Sequence, residues 1–156
     1  SEMTGTIRTY TPSDKELIFH RINEIVSKTA EAAGASSRIE LPYSINYPVT
    51  FNDERLTNAM LPSFQKSAGN ENVIVIPVRA GSEDFSFYQE KVPGLFFFIG
   101  GLPKGKDPRS AAPLHTSEMF IDEKGFKTGV VAFCNLVFDY QDIFHNSQTK
   151  NNKTSQ

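Results

Sequence analysis

The chain is short of what several functional classes need. It carries one cysteine, Cys134, and three histidines in 156 residues. A single cysteine excludes an intramolecular disulfide and any cysteine-based zinc cluster. Its place on an apolar helical stripe marks a small core residue rather than a reactive thiol. Lysine and arginine total 16 against 18 aspartate and glutamate, a formal net charge of −2. Without clustered basic residues nothing neutralises a phosphate backbone, so no nucleic acid partner is expected. No apolar run approaches the ~20 residues that span a bilayer, so no membrane partner is expected either. No secretory leader opens the chain, and the expected location is cytoplasmic. His-x-Glu-x-x-His and Gly-x-Ser-x-Gly are both absent, and no two histidines stand at a metal-binding spacing.

What is present suits a packed protein. Hydrophobic residues make up 38% and charged residues 22%, which argues against global disorder. Residues 4–10 are rich in β-branched side chains and predict a strand. Ser13 is the expected cap of a helix, with Glu16 as its capping-box partner. Ile18, Ile22, Ile25, Val26 and Ala30 follow at helical spacing, and Gly34 supplies the stop. Residues 37–50 return extended, and Pro42 and Pro48 suit an edge strand. These segments form a β-α-β unit.

Asn52 opens a second region. Leu56, Met60, Leu61 and Phe64 make an apolar stripe closed by Gly69, and Pro62 predicts a kink or a second short helix. Residues 73–76 and 94–99 are apolar on both faces, as inner strands of a parallel sheet between helices would be. A short helix over residues 83–91, capped by Ser82, lies between them. Asp122 is the expected cap of a last helix with Phe126, Val130, Phe133, Cys134 and Val137 on one side. From Asn146 the chain is polar and aperiodic and predicts a disordered tail. The expected fold is α/β, divided as 1–50, 51–145 and the tail 146–156. A lone β-α-β unit has too few strands for independent stability. The chain also starts within a strand, so it is expected to be the back part of a larger two-domain protein.

The chemistry-bearing residues sit after the apolar runs. Gly81-Ser82-Glu83-Asp84 follows residues 73–76, and Pro113-Leu114-His115 follows residues 94–99. Ligands gather at the carboxyl ends of strands in open α/β sheets. His115 is a candidate metal ligand; the ordinary alternative is a surface-loop imidazole. Glu83 and Asp84 either support a ligating group or complement the dipole of a helix start. Gly81 would allow a tight turn with its amide facing a ligand. Arg79 and Arg109 are candidates for a substrate carboxylate, though such residues are more often solvated charges. Glu118 could lie near His115 but reads rather as a solvated group, His20 reads as partly exposed on its helix, and His145 borders the tail. A catalytic zinc site takes three protein ligands and an open position, and this chain offers one convincing histidine.

Three segments together resemble the carboxyl-terminal third of the aminoacylase and hippurate-hydrolase amidohydrolases. They are Gly81-Ser82-Glu83-Asp84-Phe85-Ser86-Phe87-Tyr88, the run from Lys91 to Gly100, and Pro113-Leu114-His115. Gly5-Thr6-Ile7-Arg8-Thr9-Tyr10 resembles a strand of that family's inserted lid, and Asn52-Asp53 the return from it. The resemblance implies the carboxyl-terminal part of a three-layer zinc-peptidase-like catalytic domain, preceded by half of a ferredoxin-like α+β lid. It implies two divalent metals in the intact enzyme, zinc or else manganese, cobalt or nickel, with none held by this portion alone. It also implies hydrolysis of an amide in an N-acyl amino acid or small peptide, and pairing of subunits as a homodimer through the lid. His115 falls on the last metal ligand of the family, and Gly81, Glu83 and Asp84 fall near the site. The other ligands and the catalytic glutamate of the family lie upstream of this stretch, so the chain alone is expected to be inactive. The alternative is a non-catalytic module for dimerisation or small-molecule binding.

Overall fold

The computed structural model describes residues 1–145; the tail expected over residues 146–156 lies outside them. The chain divides into two compact units. One comprises Ser1–Asn52 with Pro77–Phe96, the other Asp53–Ile76 with the chain from Phe97 on.

In the first unit, α1 spans Pro12–Ala32. Its cap is Thr11 rather than Ser13. The Thr11 hydroxyl accepts from the Asp14 amide at 3.1 Å, and Pro12 fills the first helical position, where a missing N–H costs nothing. Gly34, at φ +68°, ends the helix. The Gly34 amide donates to Glu31 O and the Ala35 amide to Ala30 O, both at 2.9 Å, closing the last turn. Ile18, Ile22, Val26 and Ala30 are half-buried as their spacing predicts, but Ile25 is exposed. The second helix of this unit, Phe85–Gln89, is a single turn, labelled α3 below. It is shorter than the expected 83–91, and Ser82 does not cap it. Asp84 precedes it without a side-chain cap.

The first unit is tied together by one amide side chain. Asn52 Nδ2 donates to Phe96 O and Asn52 Oδ1 accepts from the Phe96 amide, both at 2.8 Å. Gln89 extends the network, donating to Asn52 Oδ1 and to Gly94 O and accepting from the Phe51 amide. Gly94 is required there, because a Cβ would meet Gln89 Cγ at 2.6 Å and the Phe85 ring at 3.2 Å.

In the second unit, α2 (Glu54–Ala68) packs against α4 (Lys124–Tyr140). Asp53 caps α2 by accepting from the Leu56 amide at 2.7 Å. The helix runs on through Pro62 as one element, so the second short helix expected there does not occur. Met60 and Ser63 are its buried residues. On α4 the buried residues are Gly129 and Ala132, and a Cβ at Gly129 would meet Ile99 Cδ1 at 2.5 Å. Asn135 Nδ2 donates to Ser67 Oγ at 2.9 Å across the pair. The large apolar stripe of α4 therefore faces elsewhere. Phe126, Val130, Phe133 and Val137 are between 55% and 64% exposed, and Cys134 is an exposed thiol rather than a core residue. Asp122 accepts from the Lys124 amide at 3.1 Å, although Glu123 occupies the cap position.

Among the described residues no segment forms a strand. Residues 4–10, 37–50, 73–76 and 94–99 are extended or irregular instead. A strand is defined by a ladder of hydrogen bonds to a neighbour, and none of these segments is assigned as a strand among the described residues. Ile74 and Val75 are about four-fifths exposed. At Phe96 the N–H and C=O are both taken by Asn52, which reproduces at one residue the paired exchange of a ladder.

Replacing Asn52 with alanine removes both side-chain bonds to the part-buried Phe96 backbone. The expected loss is about 1–3 kcal/mol in urea unfolding. Asn52→Asp keeps the acceptor for the Phe96 amide and loses the donor, so its loss should be intermediate. Equal stability of Asn52→Ala and the unmodified chain would show that the clamp contributes nothing.

Candidate functional site

The expected site residues fall into two groups. Gly81, Glu83 and Asp84 belong to the first unit, and His115 belongs to the second.

The loop before α3 is held from both sides by its own unit. Arg8 Nη1 donates to Ala80 O at 3.2 Å, fixing the loop to the amino-terminal segment. The Ser86 amide and hydroxyl donate to Glu83 O, at 3.0 and 2.7 Å. Ser86 is fully buried and Glu83 half-buried, whereas Asp84 is exposed. A Cβ at Gly81 would meet no atom within 4 Å, so sterics in this unit do not demand glycine there.

Asp84 has a partner that the sequence did not suggest. Its carboxylate lies near the Tyr47 phenol. The negative charge first, and the hydrogen bond second, hold that phenol above its ordinary value. Tyr47 also packs its ring on Phe87 at 5.6 Å between centroids. The only sequence signal was an aromatic residue before Pro48. Tyr47 and Phe87 line an open cleft of about 380 Å³ in this unit, together with Thr9, Lys15, Asn46 and Glu90.

His115 sits in an exposed turn over residues 114–118. Thr116 Oγ1 donates to Pro113 O at 2.9 Å, and the Met119 amide donates to Thr116 O. His115 has φ +66°, the one non-glycine residue with positive φ among those described. This left-handed conformation costs of order 1 kcal/mol, and such strain concentrates at functional positions. Arg109, a candidate for substrate binding, is engaged by its own turn. Its guanidinium donates to Asp107 at 2.8 to 3.1 Å and holds that carboxyl below the usual range. Arg79, Glu118 and His20 are exposed.

A metal would need more than these groups offer. No three His, Cys, Asp or Glu side chains gather among the described residues. One imidazole is short of the three protein ligands of a catalytic zinc. These residues alone do not complete a metal centre.

Comparison with known proteins points the same way as the motifs. The family model described as peptidase family M20/M25/M40 matches residues 5–139. A putative amidohydrolase, YhaA, of Bacillus subtilis is 26% identical over 141 residues, covering 90% of this chain and 35% of that protein. Thermostable carboxypeptidase 2 of Saccharolobus solfataricus is 27% identical over 142 residues, covering 91% of this chain and 35% of that one. N-acetyldiaminopimelate deacetylase of Brevibacillus brevis is 28% identical over 100 residues, covering 64% and 26%. The chain thus spans about a third of the length of the first two relatives. No solved structure matches it.

The Tyr47–Asp84 contact fixes the sign of one titration. A phenol whose folded value is raised contributes stability below the ordinary tyrosine value of about 10, and that contribution is lost as pH rises through the raised value. In Asp84→Asn the Tyr47 phenol should ionise at lower pH than in the unmodified chain. The ultraviolet difference spectrum against Tyr47→Phe isolates that one ring. An unchanged midpoint would separate the two groups.

Proposed function

Because the chain belongs to peptidase family M20/M25/M40, we propose that it is the carboxyl-terminal portion of a metal-dependent amidohydrolase or peptidase. Its substrate class is an N-acyl amino acid or a small peptide, cleaved at the amide bond. The observation that carries this reading is the family match over residues 5–139, a stretch holding both the Glu83-Asp84 and the Pro113-Leu114-His115 segments. The names of the relatives, an amidohydrolase, a carboxypeptidase and a deacetylase, agree on amide hydrolysis.

In this reading residues 1–50 are half of a lid that can pair subunits, and residues 51–145 are part of an α/β catalytic domain. Its sheet is completed by strands from the rest of the protein. His115 supplies one ligand to a pair of divalent ions, of which zinc is the first expectation. Glu83 and Asp84 stand near that site, with Gly81 in the turn that presents them. The protein works in the cytoplasm; among the described residues no helix is long and apolar enough to cross a membrane. The strained backbone at His115 supports the assignment, because a histidine kept in a left-handed turn is held there at a cost.

A second reading has its own observation. The cleft beside Tyr47 and Phe87 lies wholly within the first unit, which suits a small-molecule-binding module that needs no metal. Activity separates the two readings. The chain alone, given zinc, manganese or cobalt, should not turn over N-acetyl or N-benzoyl amino acids. Joined to the rest of its own reading frame, it should. There His115→Asn should lower kcat/KM by about 100-fold or more. Asparagine tolerates the left-handed turn, so stability should stay within about 0.5 kcal/mol. Full activity of His115→Asn would remove the ligand assignment, and an inactive complete protein would favour the module.

A further inference from the structure

The open cleft of the first unit is lined by two opposite charges that do not meet. Lys15, from the first turn of α1, and Glu90, just after α3, border the same space of about 380 Å³. The Lys15 side chain is sheltered, at 26% exposed, and its ammonium has one loose partner, Glu16 at 3.9 Å. No ion pair joins Lys15 to Glu90, and none engages Glu90 among the described residues. A simple anion entering the cleft would meet Lys15 but face the like charge of Glu90, and a simple cation would meet the reverse. A ligand that carries both charges satisfies both walls.

The rest of the lining fixes the kind of zwitterion. Tyr47 and Phe87 pack ring on ring at 5.6 Å with their planes 52° apart, and 36% and 41% of their surfaces stay open. Val49 adds an aliphatic side chain and Asn46 one amide. Small-molecule sites run from about 300 to 1,000 Å³, so this cleft suits a ligand of amino-acid size rather than a nucleotide or a long peptide. We propose that the cleft binds a free α-amino acid with an apolar side chain. Lys15 takes the carboxylate, Glu90 the ammonium, and the Tyr47–Phe87 pair the side chain. An acyl group on the nitrogen removes its charge and leaves Glu90 without a cation, so N-acylated forms are rejected. This rests on the small-molecule-binding reading of the cleft and names its ligand; it needs neither a metal nor His115.

The test titrates the full chain with L-phenylalanine and three companions, by calorimetry and by amide chemical shifts. Phenethylamine lacks the carboxylate, 3-phenylpropionate lacks the ammonium, and N-acetyl-L-phenylalanine masks it. Each companion should bind about tenfold or more weakly than L-phenylalanine. Lys15→Gln should bring L-phenylalanine down to the level of phenethylamine without weakening phenethylamine itself. Glu90→Gln should do the same against 3-phenylpropionate. Phe87→Leu should weaken all four probes, and far-ultraviolet circular dichroism confirms that each variant keeps α1. Equal affinity for the four probes, or a preference that survives both charge substitutions, would overturn the amino-acid assignment and leave a small-molecule cleft. No heat and no shift with any probe would overturn the assignment and the binding-module reading together. Amide hydrolysis by the complete protein is a separate measurement, so the hydrolase reading stands or falls independently of all these results.

Discussion

The first unit depends on one side-chain amide. Asn52 presents a donor and an acceptor in a fixed plane, and both meet the backbone of Phe96 at 2.8 Å. No other residue type of that length offers both functions at once. Aspartate has no donor, and a hydroxyl is too short to span the pair. Gln89 carries the same chemistry one step further, to Gly94 and Phe51. Through these bonds the end of the amino-terminal segment, α3 and residues 94–96 become one piece. A helix of five residues has no stability of its own. The place of α3, and of the Gly81–Asp84 loop before it, is therefore inherited from this network and from the Arg8–Ala80 bond.

Burial in the second unit follows size rather than hydrophobicity. The buried hydrophobic side chains are Met60 and Ala132, although 38% of the sequence is hydrophobic. The helices α2 and α4 pack together with Met60, Ser63 and Ala132 buried, while the missing side chain of Gly129 makes room for Ile99, whose Cδ1 lies 2.5 Å from where a Cβ would sit. The polar pair Ser67–Asn135 then links the two helices with a part-buried hydrogen bond. Of the α4 stripe, Phe133 packs its ring on Phe97 at 5.0 Å, while Phe126, Val130 and Val137 stay more than half exposed.

The sequence made much of this legible. Family membership, the helices at 12–32, 54–68 and 124–140, and the glycine stop at Gly34 follow from spacing and motif chemistry. What was misread has identifiable causes. Thr11 displaced Ser13 as cap because Pro12 belongs at the first helical position, and a cap must precede it. Pro62 lies within α2 without ending it. Cys134 was placed in the core because periodicity locates an apolar stripe but does not say which of two apolar sides is covered. The strand assignments at 73–76 and 94–99 came from composition, and composition is blind to whether a neighbour is present to complete a ladder. Tyr47 was invisible because its partner, Asp84, is 37 positions away along the chain.

The same reasoning bears on how a site could be distributed across such a protein. A metal ligand is worth keeping in a strained turn only if other ligands meet it there. His115 is held at φ +66° with no second or third ligand gathered around it among the described residues. The Glu83–Asp84 segment is likewise fixed by backbone bonds to Ser86 and by the Tyr47 contact, so its geometry is set before any ligand arrives. Each unit thus carries a small, separately braced element rather than a site that forms when a ligand binds. Preorganised elements of this kind lose little entropy when they are brought together. The left-handed backbone at His115 and the Glu83–Asp84 turn are thus each set by contacts within their own unit.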